Sequence, residues 1–157
     1  MTPAVQELKV RARLRVSAAR RVQEPALRLG ECLRSVAREA GFLHWEHARR
    51  VLAGEAASGD DMGTFWYAPR CSAILCQWFA DGRAAAQAVR QSPGFLLPYR
   101  LQFVLAPAAY VRELGLDPTH EAWSRLQRDL VAGYGSSGWQ QLCRMRLQSP
   151  ADTFEQR

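Results

Sequence analysis

Guanidinium groups are the chemistry this chain offers in greatest supply. Of its 21 basic residues all but Lys9 are arginines, and they are unevenly spread. Residues 1–50 hold eleven basic side chains against five acidic ones (Glu7, Glu24, Glu31, Glu39, Glu46), whereas residues 51–157 hold ten of each. The entire net charge of +6 therefore sits in the first third. A guanidinium presents planar, paired donors that match phosphate oxygens, and a basic face draws in polyanions without reading their sequence. Arg11, Arg13, Arg15, Arg20, Arg21, Arg34, Arg38, Arg49 and Arg50 are accordingly the candidate nucleic-acid-binding residues, and an acidic protein is the other partner such a face would take. The alternative for the same residues is a solvated face laced with ion pairs, Glu31 and Glu39 among the counter-charges. Arginine in place of lysine also follows from GC-rich coding.

The other reactive side chains form weaker patterns. His44 and His47 stand three apart with Glu46 between them, within reach of one metal ion. They fall short of the i,i+4 spacing of the zinc-protease helix, and no second cluster follows. Exposed or capping histidines are expected. Cys71 and Cys76 stand five apart, where zinc sites pair cysteines two to four apart with a second pair downstream. With Cys32 and Cys143 they read as reduced, small apolar side chains. Residues 133–138 spell G-x-G-x-x-G, but they follow a predicted helix rather than a strand and read as a turn and helix start. Asp60-Asp61 lack further carboxylates at ligand spacing and read as solvated. No catalytic residue, metal or cofactor follows from these patterns.

Positioning these groups falls to a chain of 157 residues, 48% hydrophobic and 23% charged, the make-up of one compact domain. A chain of this size buries about two-thirds of its unfolded surface and needs no disulfide or metal staple. The N-terminus has no apolar core of signal-peptide type, and no uncharged run, 91–99 included, is long enough to cross a bilayer. A soluble cytoplasmic protein without a membrane partner is expected.

Thr2-Pro3 opens a first helix that runs to about Val22 and stops at Glu24-Pro25. Strict alternation from Leu8 to Val16 has a strand's period, but the cap and the i,i+4 row Val10, Leu14, Ala18, Val22 favour a helix. Leu29, Cys32, Leu33, Val36, Ala37 and Ala40 form the stripe of a second helix closed by Gly41, and a third begins near His44 and ends at Gly54. This hairpin resembles a helix-turn-helix, although His47 falls where that motif buries an aliphatic side chain and Trp45 is a bulkier anchor than it uses. Residues 64–67 and 72–79 are expected to pair as a hairpin, and Asp81 to cap a helix through Val89. The alternating stretch 95–105 reads as one further strand with Pro98 at an edge or bulge. Helices follow from Pro107 to Leu114, from Asp117-Pro118 through Trp123, Leu126, Leu130 and Val131, and through Trp139, Leu142, Cys143 and Leu147. The expected class is α+β: a basic helical unit over 1–54, a linker over 55–63, a small domain over 64–150 whose sheet of about three strands is covered by helices on one face, and a tail over 151–157.

The run Ala37-Arg38-Glu39-Ala40-Gly41-Phe42-Leu43-His44-Trp45 resembles the A-x-x-x-G-F-x-x-W helical hairpin found near the N-termini of a family of small proteobacterial proteins of unassigned role. The words Thr64-Phe65-Trp66, Pro69-Arg70-Cys71, Trp78-Phe79-Ala80, Leu97-Pro98-Tyr99 and Gly115-Leu116-Asp117-Pro118 extend the resemblance over roughly 29–118. It implies no activity. Some of those proteins are labelled companions of glyoxalase-superfamily domains, but this chain has too few histidines and glutamates on strands for a vicinal-oxygen metal site.

The functional expectation is a non-enzymatic cytoplasmic protein whose basic N-terminal helices contact nucleic acid. Two alternatives stand beside it. One is a protein-interaction module such as an antitoxin, immunity or adaptor protein, anchored by tryptophans such as Trp66, Trp78 and Trp139. The other is a small enzyme using Cys71 or a histidine metal site. Oligomeric state is open, with a dimer through an edge at 64–67 as one arrangement.

Overall fold

The computed structural model describes residues 1–22 and 27–154. The stop expected at Glu24-Pro25 and the last residues of the tail, 155–157, lie outside the described residues. The class is α+β, with helices α1 Pro3–Arg21, α2 Leu29–Glu39 and α3 Trp45–Leu52, then β1 Gln77–Phe79, α4 Gly82–Gln91, β2 Phe95–Tyr99, β3 Gln102–Ala106, α5 Ala108–Glu113, α6 Glu121–Arg125 and α7 Ser137–Leu147. None of the described helices is long and apolar enough to cross a membrane.

Thr2 starts α1 in two ways: its Oγ1 accepts from Val5 N at 3.4 Å and donates to the Leu52 carbonyl at 2.8 Å, tying the helix start to the end of α3. The buried side of α1 is Ala4, Val5, Leu8, Ala12 and Ala19, packed against α2, α3 and α7. The row Val10, Leu14, Ala18, Val22 that argued for a helix is not this side, and Leu14 remains 62% exposed. Gly41 ends α2 at φ +97°, and a Cβ there would stand 2.7 Å from Thr64 Oγ1 and 2.8 Å from Phe65 N. The turn of the helical hairpin is thus the seat on which 64–65 dock, with Thr64 N donating to the Gly41 carbonyl at 2.8 Å.

That docking overturns the hairpin expected at 64–79. Residues 63–66 form a turn, Pro69–Ala73 a 3-10 helix, and only Gln77–Phe79 is a strand. Phe65 and Trp66 are adjacent and both buried in the same core, whereas successive side chains of a strand point to opposite faces. Phe65 stacks on Phe42 at 5.8 Å and meets Trp66 edge-on at 4.8 Å, and this packing outweighs the local β preference.

The single strand expected at 95–105 is two. The chain reverses at Arg100-Leu101, with Arg100 at φ +51°, and β2 pairs antiparallel with β3 through Tyr99↔Gln102, Pro98↔Phe103 and Leu97↔Val104. A two-residue turn places an odd position opposite an even one. Phe103 and Leu105 therefore face away from Leu97 and Tyr99, and the unbroken alternation was misleading. Pro98 lies in an edge strand of the order β1-β3-β2, where its missing N–H is tolerated.

The sheet is covered on both faces rather than one. Ala85 and Val89 of α4 pack with Leu96 and Leu105 on one side, while Phe95, Leu97, Val104 and Ala106 join the main core on the other. That core is continuous from Ala4 through Phe65 and Trp123 to Phe154, with members on both sides of 55–63. The helix expected from Asp117-Pro118 to Val131 is shorter: α6 ends at Arg125, and Gln127 and Arg128 turn with φ +53° and +58°. Leu96 N then donates to the Arg128 carbonyl at 2.8 Å and Leu130 N to the Leu96 carbonyl at 2.9 Å, so this segment pairs with β2 instead of extending α6.

Candidate nucleic-acid interface

Four of the nine candidate arginines are ion-paired. Arg11 Nε donates to Glu7 Oε1 at 3.0 Å and its terminal nitrogen to the Leu147 carbonyl, which builds it into the seam between α1 and α7. Arg15 makes a two-pronged pair with Glu39 of α2, 2.9 and 2.5 Å long, and the hydrogen bond to Glu39 holds its pKa above the usual guanidinium value. Arg49 binds Glu46 at 3.0 and 2.6 Å and Glu55 at 3.0 Å; these hydrogen bonds raise its pKa and lower that of Glu46. Arg50 pairs with Asp60 at 2.8 Å. Glu39 thus serves as the counter-charge expected of it, whereas Glu31 has no ion pair among the described residues.

The other five divide by helix. Arg13, Arg20 and Arg21 on α1 and Arg34 on α2 are exposed and have no ion pair or hydrogen bond among the described residues. Among the described residues Arg38 reaches only the Leu43 carbonyl, at 3.4 Å. Arg13 and Arg20, two helical turns apart, share a side of α1, and Arg34 and Arg38, four apart, share a side of α2. Both arginines of α3 are tied to carboxylates. The helix that would enter a groove in a helix-turn-helix therefore presents no unpaired guanidinium.

All three histidines serve the backbone. His44 Nδ1 accepts from His47 N at 3.1 Å and caps α3, and His120 Nδ1 accepts from Ala122 N at 3.0 Å and caps α6. His47 Nδ1 accepts from Leu43 N at 3.0 Å while its Nε2 donates to the Asp61 carbonyl at 2.7 Å. No group of three or more His, Cys, Asp or Glu side chains is gathered at metal-binding range among the described residues. The four cysteines are free thiols. Cys71 is buried with Sγ toward the Tyr110 carbonyl, and burial pushes its pKa up to about 11; burial raises Cys76 as well. A thiol in that state is protonated at neutral pH, the opposite of an activated nucleophile.

The glycine-rich loop 133–138 is a pinned connection into α7. Tyr134 Oη donates to the Val51 carbonyl at 2.6 Å and accepts from Ala56 N at 3.1 Å, and Ser136 caps α7. Asp60 and Asp61 are engaged too, the first with Arg50 and Ala57 N, the second with Gly63 N at 2.8 Å. Residues 55–63 hold on to both flanks: beyond the α3 contacts, Met62 N donates to the Arg100 carbonyl at 3.0 Å and Arg100 N to the Gly63 carbonyl at 2.8 Å. Of the tryptophans expected at interfaces, Trp66 and Trp139 are core and Trp78 is 47% exposed.

Arg146 escaped the sequence reading altogether. It is wholly buried, and its donors reach six oxygens: the carbonyls of Phe65, Tyr67, Leu114 and Thr153, Ser149 Oγ and Thr153 Oγ1, at 2.5–3.2 Å. Its guanidinium lies 3.7 Å from the centre of the Phe154 ring. Burial lowers its pKa to about 9, which leaves it charged at neutral pH. Charge counting hides such a residue, because it balances one more acid in a neutral two-thirds of the chain. No protein-family model, curated protein or solved structure matches the chain.

Proposed function

We propose that the protein is a non-enzymatic, cytoplasmic polyanion-binding protein whose α1–α2 surface contacts the phosphate backbone of nucleic acid. One observation carries this reading: after the ion pairs are formed, Arg13, Arg20, Arg21 and Arg34 remain exposed and unpaired among the described residues, on two helices packed against each other. Glu7, Glu39 and Glu46, which would offset them, are engaged by other arginines. Contacts of this kind position a protein on a duplex without reading bases. Four phosphates neutralised give a slope of log K against log salt of about −3.6, a loss of affinity of roughly 150-fold between 50 and 200 mM salt. Fluorescence anisotropy with a random-sequence duplex checks this across that range. Wild type is expected to show such a slope, a variant with all four arginines replaced by glutamine to lose it, and Arg49→Gln/Arg50→Gln to keep it. No binding at 50 mM salt ends the reading.

A second reading, association with another protein, is favoured by the edge of the sheet. Beside β1, Leu75 is 94% exposed, with Trp78 and Leu101 also in solvent. Binding that resists nuclease and is lost on Trp78→Arg, with the four-arginine variant unaffected, supports it over the first.

A further inference from the structure

Arginines outside the basic third are gathered in a cleft between the second half of α4 and the chain from His120 to Ala132. Its volume is about 630 Å3, within the range of small-ligand pockets. Ala86, Val89, Pro118 and Trp123 make its apolar wall, and Arg90 and Arg128 line it without an ion pair or hydrogen bond from either side chain among the described residues. The one acid lining it, Asp129, is turned to its own loop, Oδ1 accepting from Val131 N and Ala132 N at 2.9 Å each. His120 spends Nδ1 on its cap, so Nε2 is a donor in either charge state.

The backbone supplies an independent observation. Gln127 and Arg128 are consecutive non-glycine residues in the left-handed region, a costly conformation that glycine adopts freely. The turn onto β2 needs only backbone groups, the Arg128 carbonyl among them, and glycine provides those equally well. What glycine does not provide is the side chain of Arg128, a residue that lines the cleft. Strained backbone recurs at functional sites, and here the strained residue lines a concave one.

We infer that this cleft binds a phosphate-bearing small molecule with an apolar or aromatic body. A phosphate monoester carries a charge of about −1.5 to −2 at neutral pH, which two guanidiniums match; a single carboxylate leaves one of them unanswered. The apolar wall then takes the group that the phosphate is attached to. The inference does not rest on the α1–α2 reading.

Calorimetric titration with inorganic phosphate, pyrophosphate and phenyl phosphate tests it. Phenyl phosphate is expected to bind more tightly than inorganic phosphate, because only it reaches the apolar wall. Arg90→Gln and Arg128→Gln are each expected to weaken binding at least tenfold, whereas the four-arginine variant of α1 and α2 binds as wild type does. Arg128→Gly separates ligand role from folding role: it is expected to lose binding and to melt at a higher temperature. Absence of heat with all three probes at millimolar concentration overturns the inference, as does undiminished binding by Arg90→Gln/Arg128→Gln or by Arg128→Gly.

Discussion

Replacing Arg146 by methionine removes the six hydrogen bonds by which it joins α7 to residues 65, 67, 114, 149 and 153 while keeping most of the side chain's apolar stem. Four carbonyls and two hydroxyls lose a donor in the interior, and the Phe154 ring loses the cation above it. A buried acceptor left unsatisfied costs about 1–3 kcal/mol, but these groups relax together and the desolvation of the guanidinium is recovered, so the individual costs do not add. Hydrogen bonds to a charged group are worth about 1.5–3 kcal/mol each, so six lost at once leave a net cost of about 4 kcal/mol after this relaxation and recovery. Against a total stability of about 5–15 kcal/mol this is a large fraction. At about 2–4 °C per kcal/mol for a chain of this length, a loss of about 4 kcal/mol lowers Tm by about 8–16 °C. Arg146→Lys is expected to lose nearly as much, because three donors on one nitrogen do not span acceptors from five residues. Circular dichroism during thermal and urea unfolding measures both variants. A methionine variant within about 1 kcal/mol of wild type, or a lysine variant that restores wild-type stability, refutes the reasoning, since either means the network contributes little.

Three further outcomes follow. Gly41→Ala forces a side chain into a positive-φ position whose Cβ meets Thr64 and Phe65 below 3.0 Å; a loss of well over about 1 kcal/mol is expected in urea unfolding, and a neutral result refutes the docking of 64–65 on this turn. Cys71 is expected to resist a thiol reagent at neutral pH that modifies the half-buried Cys76. Its pKa is near 9.0 when exposed and about 11 in the fold, so below pH 9 it does not affect stability, and between the two values the unfolded chain loses the proton first. Stability is therefore expected to fall as pH rises through that window, and Cys71→Ser to flatten the fall.

Much of the local structure is legible in single residues. Thr2 and Asp81 start helices where their oxygens find backbone N–H groups, and Gly41, Gly54 and Gly115 close helices at φ +97°, +79° and +79°. The stretches that misled are those where a neighbour distant in sequence decides. Residues 64–67 carry strand-forming side chains, yet Gly41 and Phe42 offer them a seat that only a turn can use. The reversal at Arg100 carries no glycine to announce it, and Met62 and Gly63 hold it in place through backbone hydrogen bonds. Gln127-Arg128 likewise lacks a glycine, and the edge of β2 supplies the reason for the turn.

Charge divides the same way. From sequence alone come the α+β class, the three opening helices and the location of the excess positive charge, because each depends on composition or on residues a few positions apart. Which arginines are free is a property of tertiary structure. Arg15 is neutralised from 24 positions away and Arg146 is enclosed by oxygens up to 81 positions away, while Arg90 and Arg128, in a segment whose charges cancel, share a cleft. An ion pair or a cavity depends on distance in space, and only folding converts separation along the chain into that distance.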